Sequence, residues 1–192
     1  YEQCEQDLTD RFGPNHALVL FVRVRRGQAC EAQGDFAQAE RLLRSAQASA
    51  PPSDTPQRGG FDLALAGVLR RGADREAARA LASAWKDSAD LELALEAHYL
   101  LAALEFDAGR ASGAKAHLEE LATRARDRAP KGWSWAAARV LRARLELAEG
   151  RTDAARAEFE AGLAALRKEL GPAHVEVRAA EELAPLFATT ER

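Results

Sequence analysis

Gly150-Arg151-Thr152-Asp153-Ala154-Ala155-Arg156-Ala157-Glu158-Phe159 reads as a tight turn followed by the start of an apolar-periodic helix. The same pattern begins at Gly34, Gly72 and Gly109. With each glycine as zero, the fifth residue on is Ala39, Ala77, Ala114 or Ala155, and the ninth is Leu43, Leu81, Leu118 or Phe159. The glycines lie 38, 37 and 41 residues apart, in the range at which pairs of helices stack into solenoids. One template therefore recurs through most of the chain.

The composition agrees with a helical reading. Nearly a quarter of the 192 residues are alanine, Leu, Glu and Arg are abundant, and Val and Ile are scarce. The first group favours helix, whereas strands draw on β-branched and aromatic side chains. Charges are 30% of the chain but nearly balanced, at a net −3. That leaves no basic field for nucleic acid. No run approaches the roughly 18 apolar residues of a membrane span, and no signal peptide is visible, so neither membrane nor export is expected and the default is a cytoplasmic protein. Cys4 and Cys30 have no Cys or His at ligand spacing and suit neither a disulfide framework nor zinc. Both are expected reduced, in or near the core.

Taken in order, the chain divides into a partial repeat at 1–16, a repeat at 17–50, a Pro/Gly-rich break at 51–60, repeats at 61–89, 90–130 and 131–169, and a capping or truncated repeat at 170–192. Gly13-Pro14 separates the opening helix from one predicted over Ala17–Gln33, which returns as Phe36–Ala50 and ends at Pro51-Pro52. The break PPSDTPQRGG reads as a loop or tether. On that reading the first helix of the second repeat begins no earlier than Phe61, and this repeat should be irregular. Helices are predicted over Asp74–Ser88, Leu91–Ala108, Ala111–Arg128, from an N-cap at Ser134 to Glu149, over Thr152–Glu169, and over Val175–Ala188 with Pro185 fraying its end. The chain starts at Tyr1, lacks methionine and opens in a helix-like stretch, which suggests an excised piece of something longer.

Paired helices approach closely only where side chains are small. The alanine five after each glycine supplies that surface on the second helix. The larger residue four further on lies one turn along the same face. Twelve after each glycine stand Ala46, Ala84, Leu121 and Gly162, and seven before stand Gly27, Leu65, Ala102 and Ala143, three of them small.

The glycine, the alanine, the large residue, the small residue and Pro51 together resemble the tetratricopeptide consensus. FGPNHALV at 12–19 and LGPAHVEV at 170–177 are similar to the element that precedes the first helix in the kinesin-light-chain-like subfamily of these repeats. The resemblance covers nearly the whole chain, weakly in the second repeat. It implies an all-α, right-handed α-α superhelix, a tetratricopeptide-like solenoid of antiparallel hairpins and a piece of a larger bacterial protein. It also implies that the first helices line a concave groove holding a peptide or protein partner. Ten before the glycines lie Val24, Asp62, Tyr99 and Val140, and six before lie Gln28, Ala66, Ala103 and Arg144. The subfamily's paired asparagines and the Lys and Asn set of the carboxylate clamp are missing, so neither ligand class carries over. The candidate partner-binding residues are Val24, Gln28, Asp62, Glu96, Tyr99, Asp107 and Arg144. Phe106 is either a further anchor or core.

No constellation supports an enzyme, a cofactor or a metal. GxSxG, CxxC and HExxH are absent, and no Gly-rich loop follows a strand. His16 and His174 both follow Gly-Pro-x and read as loop residues. His98 and His117 sit on the two helices of one hairpin and can approach each other, without a third ligand at suitable spacing. Trp133 and Trp135 straddle a helix start, as an interface anchor or as cover between hairpins. Arg142 and Glu146 are spaced for an ion pair. Arg124, Arg126 and Arg128 suit a helix C-terminus. The expected function is a protein–protein interaction scaffold. The alternative is a regulatory or sensor domain appended to a signalling protein, such as a bacterial Ser/Thr kinase or an ATPase-type transcription regulator.

Overall fold

The computed structural model describes residues 1–50, 55–72, 74–126 and 132–188. Among them are ten helices and no strand: α1 (Glu2–Phe12), α2 (Ala17–Gln33), α3 (Phe36–Ser49), α4 (Pro56–Arg71), α5 (Arg75–Trp85), α6 (Leu91–Asp107), α7 (Ala111–Ala125), α8 (Trp133–Ala148), α9 (Thr152–Leu170) and α10 (Val175–Phe187). The protein is all-α. It forms two compact units, Tyr1–Leu93 and Ala94–Arg192, with the division inside α6.

In the first unit each helix from α1 to α5 packs on the next, and α2 also touches α4. Buried Glu31 on α2 is ion-paired with Arg71 on α4. In the second unit α7 packs on α8, α8 on α9 and α9 on α10, and α8 also touches α10.

The turn glycines explain why hairpins form where they do. Gly34, Gly109 and Gly150 all have positive φ, at 85°, 74° and 80°. After each, the next N–H reaches back five residues: Asp35 to Cys30 O, Arg110 to Glu105 O and Arg151 to Glu146 O, at 2.9–3.0 Å. This left-handed cap satisfies carbonyls that a helix end leaves open, and only glycine adopts it without steric cost.

Gly72 breaks the pattern. Its φ is −84°, its ψ is −156° and its N–H bonds back to Val68 O. The N-cap of the following helix is Asp74, two residues on, whereas the other three hairpins cap with Asp35, Arg110 and Arg151, one residue on. The extra residue shifts α5 by one position. Ala39, Ala114 and Ala155 are fully buried as the template requires, but in the second repeat the buried residue is Ala78, and Ala77 is half-buried. Likewise Leu81 is half-buried, while Ala82 is buried in the place expected for it. The N-cap, not the glycine, carries the register.

A second correction concerns the expected break. Residues 51–54, including Pro51-Pro52, lie outside the described residues, but α4 begins at Pro56 and not at Phe61. The Thr55 hydroxyl accepts from Arg58 N at 3.3 Å, and Pro56 occupies the first turn, where its missing N–H has no partner to lose. Gly59 is then required by packing. A Cβ there would lie 2.5 Å from Leu93 Cδ1 and 2.9 Å from Trp85 Cε3. Glycines that read as a tether are the notch that lets Trp85 lie against α4.

Smaller differences follow the same logic. Gly132, not Ser134, is the N-cap of α8, and Ser134 is buried inside the helix. Helix α10 continues through Pro185 and ends two residues later at Phe187, whose ring stacks on Phe159 at 4.2 Å. Cys30 is half-buried but Cys4 is exposed, not in or near the core, and neither is bonded. Arg124 near the end of α7 pairs with Glu120, and Arg128 lies outside the described residues.

Candidate partner-binding faces

In the first unit the expected site residues do not share one environment. Val24 is buried in the core, 6% exposed. Asp62 is also buried, 7% exposed, and three donors converge on its carboxylate. Gln47 Nε2 on α3 donates at 2.7 Å, Arg58 Nε on α4 at 3.0 Å, and Trp85 Nε1 on α5 at 3.0 Å. Arg58 also donates to the Gln47 carbonyl at 3.0 Å. Asp62 therefore ties three helices together, with its acceptor positions taken up internally. It is not available as a partner contact.

Gln28 stays half-buried at the surface and accepts from Arg25 at 3.2 Å. It ends a stripe that the sequence reading overlooked. Leu18 and Phe21 are each 50% exposed, and the Arg25 guanidinium lies 5.1 Å over the Phe21 ring. Leu18, Phe21, Arg25 and Gln28 recur at intervals of three and four and so share one face of α2. The signal was the run ALVLFV, which is apolar on more sides than the buried Val19, Leu20 and Val24 use.

In the second unit three helices bring side chains to one place. Tyr99 on α6 is buried, 5% exposed, and meets the half-buried Trp133 on α8 edge to face at 5.5 Å. The Tyr99 hydroxyl donates to Glu176 Oε1 on α10 at 3.4 Å. Glu176 is placed by the helix start, because its N–H donates to the His174 Nδ1 cap at 3.2 Å. Further along α6, Phe106 is half-buried under the Arg144 guanidinium, 4.2 Å from the ring centroid. Phe106 is thus not sealed in the core. Glu96 is half-buried and Asp107 exposed. Trp133 and Glu176 were absent from the expected set, and the contact with Tyr99 spans 77 residues for Glu176. No local pattern reports such a pair.

The histidines resolve into two kinds. His16 and His174 are matched helix caps, accepting from Leu18 N at 3.3 Å and from Glu176 N at 3.2 Å. His98 is buried on α6, and its Nδ1 lies 3.3 Å from Nδ1 of His117 on α7. The ring centroids are 5.5 Å apart, so the two nitrogens face each other nearly head on. That is the geometry of an N–H···N bond, in which one ring donates and the other accepts. Among the described residues no group of three His, Cys, Asp or Glu could hold a metal ion.

Several surface charges are paired, as in Arg139 with Glu158 at 2.8 Å. Arg110, exposed, is held above its ordinary pKa mainly by its hydrogen bond to Glu105. The expected pair of Arg142 with Glu146 is not formed: Glu146 Oε2 is shielded from solvent with no hydrogen-bond partner. No helix among the described residues is long and apolar enough to cross a membrane. No protein-family model matches the chain, and no curated protein matches it.

Proposed function

We propose that the chain is a tetratricopeptide-like solenoid, wound as a right-handed superhelix, that acts as a protein–protein interaction scaffold in the cytoplasm. Three observations support the architecture. The caps at Gly34, Gly109 and Gly150 are alike, helices pack in order from α1 to α5 in the first unit and from α7 to α10 in the second, and alternate helices also touch, as α2 does α4 and α8 does α10. Two cysteines without a disulfide suit a reducing compartment.

The observation that carries the functional reading is the meeting of Tyr99, Trp133 and Glu176, drawn from α6, α8 and α10. Alternate helices of a stacked array line one surface, and this surface presents a half-exposed tryptophan beside a carboxylate. Aromatic anchors with a polar neighbour are the side chains that dominate peptide and protein interfaces. Arg144 and Phe106 extend it along the same pair of helices.

The test is affinity capture with the whole chain, followed by titration of the captured polypeptide against two variants. Trp133→Ala and Arg144→Glu should each weaken binding at least about tenfold, the loss that marks an interface anchor. Tyr99→Ala is a poor choice because Tyr99 is buried and its truncation disturbs packing. Unchanged binding by both variants would remove the face from the proposal.

A further inference from the structure

We propose that α10 of one copy of the chain docks antiparallel on α2 of a second copy. Both helices leave one stripe uncovered. On α2 the large side chains Leu18 and Phe21 are each 50% exposed, and Arg25 and Gln28 follow them on the same face. On α10 Leu186 is 59% exposed, and Glu182 and Ala179, four and seven residues before it, are exposed as well. Steps of three and four keep each set on one side of its helix. Taken in opposite directions, the two stripes have the same intervals. From Phe21 the steps are four to Arg25 and three to Gln28, and from Leu186 they are four back to Glu182 and three back to Ala179. Antiparallel packing therefore sets Leu186 against Leu18 and Phe21, Glu182 against Arg25, and Ala179 against Gln28.

Charge selects a second copy as the occupant. On α2, Arg23 and Arg26 pair with Glu5, and Glu31 pairs with Arg71. Arg25 lies over the Phe21 ring and is in no ion pair among the described residues. On α10, Glu181 pairs with Arg167 and Glu176 accepts from Tyr99, whereas Glu182 has no partner among the described residues. Each helix thus leaves one charge uncompensated beside an exposed large apolar side chain, and the two charges are opposite. Docking joins them at the rim of an apolar contact, where charge complementarity sets register and partner choice. Like on like, α2 on α2 or α10 on α10, brings together charges of one sign. Two different patches meet, so the contact is heterologous.

Arg25 and Glu182 stand outside the meeting of Tyr99, Trp133 and Glu176, so self-association and partner binding there are lost by different substitutions. The test is sedimentation equilibrium on the whole chain over a range of concentrations. The weight-average mass should rise with concentration, and less steeply in high salt. Arg25→Glu and Glu182→Arg should each weaken self-association at least about tenfold, because like charges then face each other. The chain carrying both substitutions regains an opposite pair and should associate within about threefold of the unaltered chain, as should an equimolar mixture of the two single variants. All are changed only at exposed positions and should keep the fold, which circular dichroism checks. A chain that is monomeric at every concentration overturns the proposal. So do single variants that associate like the unaltered chain, and so does failure of either the double variant or the mixture to associate. An acidic apolar peptide that shifts the Leu18 methyl signals of a chain found only as monomer would assign the face to a foreign partner instead.

Discussion

Asp62 and Tyr99 stand at the same distance before a turn glycine, ten residues from Gly72 and from Gly109, yet they do different work. In the first unit Asp62 faces inward and gathers donors from α3, α4 and α5. In the second unit Tyr99 joins α6 to Trp133 of α8 and Glu176 of α10. The first arrangement spends its polar groups on cohesion, while the second keeps an aromatic and a carboxylate near the surface. Equal spacing in a repeat therefore fixes where a residue sits along its helix, and the neighbours fix whether it is available to a partner.

The contrast is broken most forcefully at Asp62. Asp62→Ala strands Arg58, Gln47 and Trp85 without their acceptor, and should cost about 3–5 kcal/mol in urea unfolding, the range for removing one member of a buried pair. A loss under about 1 kcal/mol would mean that Asp62 is not the tie it looks to be. The shifted register gives the next largest effect. Ala78→Leu overpacks a fully buried position and should cost about 1–3 kcal/mol. Ala77→Leu, at a half-buried position, should fall within about 0.5 kcal/mol of wild type. Equal effects would restore Gly72 as the marker of register. Ala114→Leu in the third hairpin should behave like Ala78→Leu, at about 1–3 kcal/mol, because Ala114 is fully buried too.

Smaller changes sharpen the other side of the comparison. Tyr99→Phe removes the 3.4 Å contact with Glu176 and should cost about 1 kcal/mol or less on thermal melting. Arg144→Ala removes the cation over Phe106 and should cost about 0.5–1 kcal/mol. A loss at Tyr99 as large as that at Asp62 would show that both positions serve cohesion alone.

Much of the helix pattern was legible because it is local. Gly34, Gly109 and Gly150 each announce a left-handed cap, and the alanine and leucine spacing after them reports the buried stripe. The misreadings share one cause. Gly59-Gly60 beside prolines is a loop signal in isolation, but Thr55 caps a helix there, and Trp85 and Leu93 occupy the space that a Cβ on Gly59 would need. Gly72 resembles the other turn glycines in sequence but lacks their positive φ, so the reading from it slipped by one. Among the site residues, Tyr99 and Arg144 were found with contacts on neighbouring helices. Asp62 was found in the wrong role, Trp133 was read as either an interface anchor or cover between hairpins without being placed beside Tyr99, and Glu176 and Phe21 were overlooked.

By itself the sequence determined that this chain is helical, where most hairpins turn, and which small residues let paired helices meet. Those features follow from propensity, capping and periodicity, which act over a few residues and are written into the chain. Only the tertiary structure decided that Asp62 belongs to the interior, that α5 is shifted by one residue, and that Tyr99 meets a carboxylate 77 residues away. A side chain's availability depends on which distant groups already satisfy its hydrogen bonds and cover its surface.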